Sequence, residues 1–429
     1  MLQLGSGSSN GSAHGPLKGK RIYIPPMAYG SGRTFAAAFR ALGLEADITP
    51  PSDHRTRELG ARFTSGDECY PAKVTIGDFM RVLEMPGADP ARIALFMPTA
   101  DGPCRFGQYA TYLRRILDQN GYPHTAVLSP SSRDGYGDFG ELARPFLRTG
   151  WRALVAADIL QKALLKTRPH EVQKGTTEAA YEESLADICS TIEKTELTPS
   201  VQLKAMHDSL VRCRDRFRAV AVQRNPSTPL IGIVGEIFCR LHSFSNEDLV
   251  RRLEEYEAEG WLSDITEWVW YTISEQFRNL KLRGRQISVE ALGAWIRKRV
   301  QMHDEHVLLE PFRADFQGYE EPKVEEVLEA ARPYLPNDGA LGEMVLNVGK
   351  AICLARRGVD GIIDISPFTC MNGIVCEAVY PRVSRDLGGL PIRNFYFDGT
   401  QSDLDRDLGV YLELARTYQR RKKHQRHIA

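Results

Sequence analysis

The sequence predicts an α/β fold with two Rossmann-like lobes, mostly parallel sheets, a helical connector and a helical insertion. Short apolar runs alternate with amphipathic runs from Lys20 onward, which is typical of a parallel sheet covered by helices. The alternation gives way to a largely helical stretch and begins again at Leu230. Residues 93–120 and 362–387 share the order strand, proline loop, cysteine and helix. This repetition indicates two related halves.

The predicted strands are apolar runs bounded by turn residues. In the first half they lie at 21–25, 45–48, 92–97 and 124–128. In the second half they lie at 230–234, 261–263, 361–365 and 392–397. Apolar residues at helical spacing predict helices near 33–42, 72–83, 106–119, 246–257 and 373–387.

These elements suggest a division of the chain into five parts. The first is a Gly- and Ser-rich segment, which predicts a flexible lead-in. The predicted parts are a lead-in at 1–18, a first α/β lobe at 19–135, a helical connector at 136–228, a second α/β lobe at 229–415 with a helical insertion at about 268–335, and a basic tail at 416–429.

Composition narrows the functional classes. Lys plus Arg and Asp plus Glu both total 55, so the balance of charge gives no reason to expect a nucleic-acid partner. No run of about 18 uncharged apolar residues is present, and the first residues lack a signal pattern, so we expect a cytoplasmic protein without a membrane span. The eight cysteines lack the short regular spacing of a secreted disulfide framework.

Three cysteines stand out by their surroundings. Cys69, Cys104 and Cys370 each lie in a loop with Pro or Gly, directly before an amphipathic run. Such loops lie at a surface or line a cleft, and a helix N-terminus favours the thiolate form that binds metal. Cys104 and Cys370 follow strands of different halves, where open parallel sheets bind ligands. We therefore expect the three thiols to share an inter-lobe cleft and to hold an iron-sulfur cluster.

Each of these residues has a simpler structural explanation. A lone cysteine is most often a small buried core residue, and this is the expectation for the other five, with Cys376 as a reserve ligand. Zinc is the chief competing metal, but the close cysteine pair of structural zinc sites is missing. Glu68 and Glu236 are candidate proton donors or hydrogen-bond acceptors beside the cluster, or else surface or capping carboxylates.

A dinucleotide site is a further alternative. Gly30 and Gly32 follow the first strand, with Glu45 or Asp47 as a ribose partner, but Phe35 stands where the fingerprint requires its third glycine. A tight turn between strand and helix explains the two glycines equally well. No Gly-Lys-Ser/Thr phosphate loop is present in the sequence.

Taken together, the motifs resemble the 2-hydroxyacyl-CoA dehydratase superfamily over about residues 20–415. The resemblance rests on the segments around Cys69, Cys104 and Cys370, on Gly235 and Glu236, and on Asn246 and Trp268. The branch it suggests is that of CoA-substrate-specific enzyme activase-related proteins (acyl-CoA dehydratase activase-related).

This resemblance implies that two Rossmann-like lobes clasp a cluster through Cys69, Cys104 and Cys370. It implies a [4Fe-4S] cluster with an open iron site, or a larger double-cubane cluster, that is oxygen-sensitive. The electron would come from an ATP-hydrolysing activase of the actin/sugar-kinase fold, and the substrate would be an acyl-CoA. The chain would then be a dehydratase-like lyase or an ATP-coupled reductase component, acting in a homo- or hetero-oligomer. The alternatives are a non-catalytic assembly or regulatory subunit of an activase complex, and a zinc- or nucleotide-binding protein.

Overall fold

Two parallel four-stranded sheets form the centres of two lobes, which confirms the predicted α/β fold class. The computed structural model describes residues 17, 19–100, 102–130, 143–194, 197–337, 342–400 and 403–428. The first sheet has the order β2-β1-β3-β4, with β1 (Arg21–Ile24), β2 (Glu45–Ile48), β3 (Ile93–Phe96) and β4 (Ala126–Leu128). The second has the same order, β6-β5-β7-β8, with β5 (Leu230–Gly235), β6 (Glu259–Leu262), β7 (Gly361–Pro367) and β8 (Ile392–Phe397).

The first sheet is covered by helices on both faces. The helices within this half are α1 (Tyr29–Arg40), α2 (His54–Phe63), α3 (Tyr70–Leu83) and α4 (Tyr109–Gln119). Side chains alternate between the two faces of a strand. Accordingly, Ile22 and Ile24 pack in the core beside α1, whereas Tyr23 belongs to the core formed with α2, α3 and α4.

The predicted connector also packs on the first lobe. Its helices are α5 (Ala143–Thr167), α6 (Thr176–Ile192) and α7 (Pro199–Ala219). Phe146 of α5 stacks on Phe39 of α1 with the ring centroids 4.4 Å apart, and Leu185 and Leu210 lie in the same core. The described part of the predicted connector is largely helical as predicted, and its apolar faces complete the core of the first lobe. Residues 136–142 and 195–196 of that prediction lie outside the described residues.

The second lobe contains eight helices among the described residues. They are α8 (Ile237–Leu241), α9 (Leu249–Glu255), α10 (Thr266–Leu282), α11 (Val289–Leu309), α12 (Val324–Ala331), α13 (Glu343–Arg356), α14 (Met371–Asp386) and α15 (Leu404–Ile428). Helices α12, α13 and α14 cover one face of the second sheet. Helices α8, α9 and α15 cover the other.

The helical insertion, α10 to α12, contacts the connector. Asp304 of α11 receives a hydrogen bond of 2.7 Å from Nε of Arg152 on α5. Both side chains of this ion pair are fully buried. Breaking a buried pair leaves an uncompensated charge, so this contact holds α11 firmly against α5.

The last helix differs from the sequence-based prediction. The sequence predicts a basic tail at 416–429, but helix α15 extends to Ile428. Lys422 donates to the carbonyl oxygen of Gly358 at 2.6 Å and pairs with Asp360. Gly358 lies just beyond the end of α13, where cations are favoured by the exposed carbonyl groups. The basic side chains thus anchor the helix on the second lobe.

No helix of the described residues combines the length and apolar character needed to cross a bilayer.

The start of helix α3 joins the two lobes. Tyr70 and Val74 of this first-lobe helix are buried in the core of the second lobe, together with Phe238 and Phe397. A Cβ atom on Gly399 would lie 2.8 Å from the Tyr70 ring, so the second-lobe backbone also approaches this side chain closely. Because Cys69 immediately precedes Tyr70, the contact also fixes the position of that thiol.

A buried chain of hydrogen bonds crosses the same boundary. The Ser52 hydroxyl donates to Asp78 at 2.7 Å and lies 3.1 Å from Nε2 of His242 in the second lobe. Because Ser52 donates to Asp78, its oxygen accepts the Nε2 proton of His242, which leaves Nδ1 to accept from Ser245 at 2.7 Å. Burial lowers the pKa of His242 to about 4, so this histidine is neutral at pH 7.

We predict that His242 makes the protein less stable as the pH falls. Its pKa is lower in the folded protein than the ordinary 6.5, so the unfolded chain binds the extra proton first and stability is lost from about pH 6.5 downward. By pH 5 the loss is about 2 kcal/mol. Urea unfolding of the wild type and His242→Gln at pH 7, 6 and 5 measures it. The variant lacks this loss, and a stability difference that is constant with pH would contradict the prediction.

Candidate functional site

Each of the three candidate cysteines is the N-cap residue of a helical segment. Cys69 precedes α3, and Cys370 precedes α14. Cys104 precedes a 3-10 turn, Arg105–Gln108, that leads into α4. All three Sγ atoms therefore lie beside free backbone N–H groups at helix starts.

The sheet topology explains why these loops converge. In each sheet the chain moves in opposite directions from the two central strands, and ligands bind at such a switch point, beyond the carboxyl ends of the strands. Cys104 follows β3 at the switch point of the first sheet. Glu236 and Cys370 follow β5 and β7 at the equivalent place in the second sheet.

Arg105 ties the three cysteine loops together. Its guanidinium donates through Nη1 to the carbonyl oxygen of Asp67 at 2.8 Å. Through Nη2 it donates to Thr369, to the carbonyl oxygen at 3.1 Å and to Oγ1 at 3.2 Å. Asp67 is two residues before Cys69, Arg105 follows Cys104, and Thr369 precedes Cys370. One side chain thus bridges the three loops and both lobes.

The thiols share electrostatic neighbours as well as a location. Burial raises the pKa of all three, and the carboxylate of Glu236 raises each of them further. Glu343 raises the pKa of both Cys104 and Cys370, although these thiols come from different lobes. Cys69 also raises the pKa of Cys104. Glu236 is therefore an electrostatic neighbour that all three thiols share.

The structure corrects the expectation that helix N-termini favour thiolates here. Backbone N–H groups do lower the pKa of Cys370, but burial and the two carboxylates outweigh them, and its pKa is raised to about 12. Cys69 and Cys370 are each only 9% exposed, whereas Cys104 is exposed. In the protein without metal, all three are neutral thiols at pH 7. Metal binding would have to displace their protons.

Tyr109 is the direct partner of Cys69. The phenol oxygen of Tyr109 lies within hydrogen-bonding distance of the Cys69 sulfur. The tyrosine is buried, and burial raises its pKa well above the usual value, so the phenol is a proton donor at neutral pH. It fixes the Cys69 sulfur on the first-lobe side of the cleft.

Two carboxyl groups, the half-buried Glu236 and the buried Glu343, lie on the second-lobe side. Glu236 caps α8 by accepting from the backbone nitrogens of Phe238 and Cys239, at 3.1 and 2.8 Å. Glu343 accepts from the backbone nitrogen of Ile237 at 3.0 Å and from Trp268 Nε1 at 3.1 Å. Burial and the charge of Glu236 raise the pKa of Glu343 to about 8. The pair thus holds a proton at neutral pH beside the thiols.

Glycine is required at the residue before Glu236. Gly235 has a φ of +126°, and a Cβ atom there would lie 2.1 Å from the carbonyl oxygen of Ile365. This close approach allows the Glu236 backbone nitrogen to bond that oxygen at 2.8 Å. The strand pairing of β5 and β7 therefore sets the position of the carboxylate.

Glu68, the other candidate carboxylate, stabilises a turn. It accepts from the backbone nitrogens of Ser65 and Gly66 at 3.2 and 3.0 Å, and from the Ser65 hydroxyl at 3.0 Å. Burial alone would raise its pKa, but hydrogen bonds from Tyr112 and this turn lower it to about 2. An ionised group held this way is a poor proton donor. Its geometry fits the capping alternative.

The remaining cysteines line the core. Cys189 and Cys213 lie in the core of the first lobe, and Cys353 and Cys376 in one core of the second. Cys239 lies behind Glu236 and is fully buried. Cys376, the reserve ligand, has its sulfur against the carbonyl oxygen of Met344 at 3.6 Å and faces away from solvent.

The three candidate cysteines do not form a site for a single metal ion. Among the described residues, no three His, Cys, Asp or Glu side chains are close enough to coordinate one ion. A structural zinc site needs such a group. In an iron-sulfur cluster each cysteine binds a different iron, so the thiols stand farther apart and sulfide fills the space between them. An iron-sulfur cluster therefore stays a prediction for these three thiols.

The glycines of the dinucleotide alternative are covered by protein. A Cβ atom on Gly30 would lie 2.3 Å from the Tyr181 hydroxyl on α6, and one on Gly32 would lie 3.1 Å from Ile48. Helix α6 therefore packs on the start of α1, where a pyrophosphate would have to bind. Close packing explains both glycines.

Sequence reasoning did not identify Arg105, Tyr109 or Glu343 as part of the site. Arg105 and Tyr109 lie in the motif around Cys104. Their closeness in sequence to this candidate ligand could have identified them as part of the site. Glu343 follows a glycine at the start of α13, a position typical of a helix N-terminus. Nothing in its sequence context links it to the cysteines.

The chain matches no protein-family model. A comparison with curated proteins gives no significant match either.

We predict that replacing Arg105 loosens the cysteine loops. Arg105→Met keeps an unbranched side chain similar to the aliphatic part of arginine but removes its donors to Asp67 and Thr369. Losing these bonds costs about 1 kcal/mol, so amide hydrogen exchange in both loops should accelerate about fivefold. Arg115→Met, on the exposed side of the following helix, is the control. Unchanged exchange at residues 67–70 and 369–373 would show that Arg105 does not hold these loops.

Proposed function

We propose that this chain is an iron-sulfur protein in which Cys69, Cys104 and Cys370 hold a cluster between the two lobes. The observation that carries the proposal is the bridge made by Arg105, which joins the loops of all three cysteines. A [4Fe-4S] cluster is favoured, with a double-cubane cluster as the larger form. A bound cluster would accept and pass on a low-potential electron, and an iron without a cysteine ligand would act as a Lewis acid toward a substrate oxygen.

The protein groups around the thiols suit such a cluster. Cys69 and Cys370 precede the starts of α3 and α14, and the N–H groups there would favour the negative charge that sulfide and thiolates bring. Arg105 adds a positive charge at the cleft and lowers the pKa of Cys69. Glu343 retains a proton near neutral pH. This carboxyl group can donate a proton to a substrate oxygen in the cleft.

The role in electron transfer rests on the resemblance to 2-hydroxyacyl-CoA dehydratases. The resemblance implies a separate ATP-hydrolysing activase of the actin/sugar-kinase fold as the electron donor, and this chain carries no Gly-Lys-Ser/Thr phosphate loop of its own. Cys104 is the exposed thiol, so we expect the donor to approach from its side. An acyl-CoA is the substrate we propose, and the cytoplasm, where thiols stay reduced, is the proposed location.

We predict that anaerobic reconstitution with iron and sulfide gives a brown protein with about four irons per chain and a [4Fe-4S] paramagnetic resonance signal after reduction. Cys69→Ser, Cys104→Ser and Cys370→Ser should each retain less than half of this iron. Cys189→Ser replaces a core cysteine that is 7% exposed and is the matched control. If Cys370→Ser formed the same cluster with an unchanged spectrum, the assignment of this ligand would be wrong. A colourless preparation would contradict the cluster itself.

The electron donor is tested with the reconstituted protein. We predict that an activase of the actin/sugar-kinase fold reduces the cluster only when ATP is hydrolysed, which bleaches its visible absorbance. A non-hydrolysable ATP analogue is the control. Full reduction with the analogue would exclude ATP coupling, and no reduction with ATP would favour a non-catalytic assembly role.

A further inference from the structure

The hairpin of helices α10 and α11 exposes an apolar surface that the fold does not use. Leu282 ends α10, Ile287 lies in the turn and Val289 begins α11, with 73%, 99% and 89% of their surface exposed. Leu292 and Ile296 continue this surface along α11 and are at least half exposed. We call these five residues the hairpin patch. Exposed apolar surface of this continuity is typical of an interaction site.

The hairpin patch lies on a helix whose opposite side is already fixed. Ala291, Ala294, Asp304 and Leu308 are buried on the inner side of α11. Val289, Leu292 and Ile296 are spaced by three and four residues, so they share one face of the helix. The apolar stripe therefore faces outward and cannot turn into the core.

The surroundings of the patch are strongly basic. Residues 281–299 contain six basic side chains and one acidic side chain, in a chain whose formal net charge is zero. Among the described residues, none of Lys281, Arg283, Arg297 and Arg299 has a carboxylate within ion-pair distance. Arg299 instead lies over the ring of Trp295, 5.1 Å from its centroid. Trp and Arg are enriched in the energetic centres of protein interfaces.

We propose that the hairpin patch binds a protein that presents an acidic surface with an apolar centre. The basic side chains would attract its carboxylates, and the aliphatic residues would be buried against its apolar part. A symmetric dimer of this chain fits poorly, because it would place the same basic groups opposite each other. An anionic membrane would also attract the basic side chains, and it is an outcome of the test described below.

The proposal does not depend on the cysteine cleft. Trp268, near the start of α10, contacts Glu343 of the candidate site, and Leu282 ends the same helix. The rise along the helix separates these two residues by about 20 Å. Binding at the patch and cluster assembly can therefore be tested independently.

The experiment uses the full chain with a photo-crosslinking benzoylphenylalanine at residue 292, introduced in the native host. Leu414 is the matched control position, since both leucines lie on helices and are 57% exposed. We expect one protein to be captured at 292 and not at 414. That protein is then purified and titrated with the full-length chain and its variants.

The titration decides the proposal. Leu292→Asp should weaken binding at least about tenfold, as expected for an interface centre, and Leu414→Asp should change it less than about twofold. Binding should weaken as salt is raised, and Arg297→Glu with Arg299→Glu should reduce the association rate. The cluster content of Leu292→Asp should match that of the wild type.

Four results would overturn the proposal. They are equal capture at 414, no capture at 292, an adduct of two copies of this chain, and an affinity that Leu292→Asp leaves unchanged. Vesicles of phosphatidylserine and phosphatidylcholine provide the membrane test. If they bound the wild type but not Leu292→Asp, and no protein were captured, the surface would be a membrane site instead.

Discussion

Burial of the start of helix α3 between the lobes is the constraint on which the candidate site depends. Tyr70 and Val74 belong to a first-lobe helix but lie in the core of the second lobe. Two sheets with separate cores would otherwise be free to adopt many relative positions, because interfaces between domains are usually modest. Here the contact begins one residue after Cys69. The same contact therefore packs the two lobes together and positions the Cys69 thiol.

The sequence predicted the elements that depend on local pattern. The eight strands lie within two residues of their predicted starts, since buried parallel strands are short apolar runs between turn residues. Helices α2 and α8 were not predicted. Helix α2 carries few apolar residues, and its start depends on the Asp53 cap. The sequence predicted a basic tail in place of the end of α15, because the partners of Lys422, Gly358 and Asp360, are far away in sequence.

The site was predictable in its residue types but not in its chemistry. Pro and Gly around each cysteine marked loops at helix starts, and the repeated strand order brought Cys104 and Cys370 to equivalent positions. The pKa of a thiol depends on burial and on neighbouring charges, which no local pattern contains. The sequence therefore did not predict that Glu343 belongs to the candidate site, although this residue raises the pKa of thiols from both lobes. Arg105 likewise has partners 38 and 264 residues away.

The buried ion pair between Arg152 and Asp304 has a consequence for how molecules reach the cleft. It joins α5 to α11, while Tyr70 joins the lobes at the cleft itself. A clamshell motion would have to separate a desolvated charge pair and an aromatic anchor together. Separating the lobes would therefore carry a large energetic cost. Cys104, the exposed thiol of the three, is the one that another molecule can contact without such a motion.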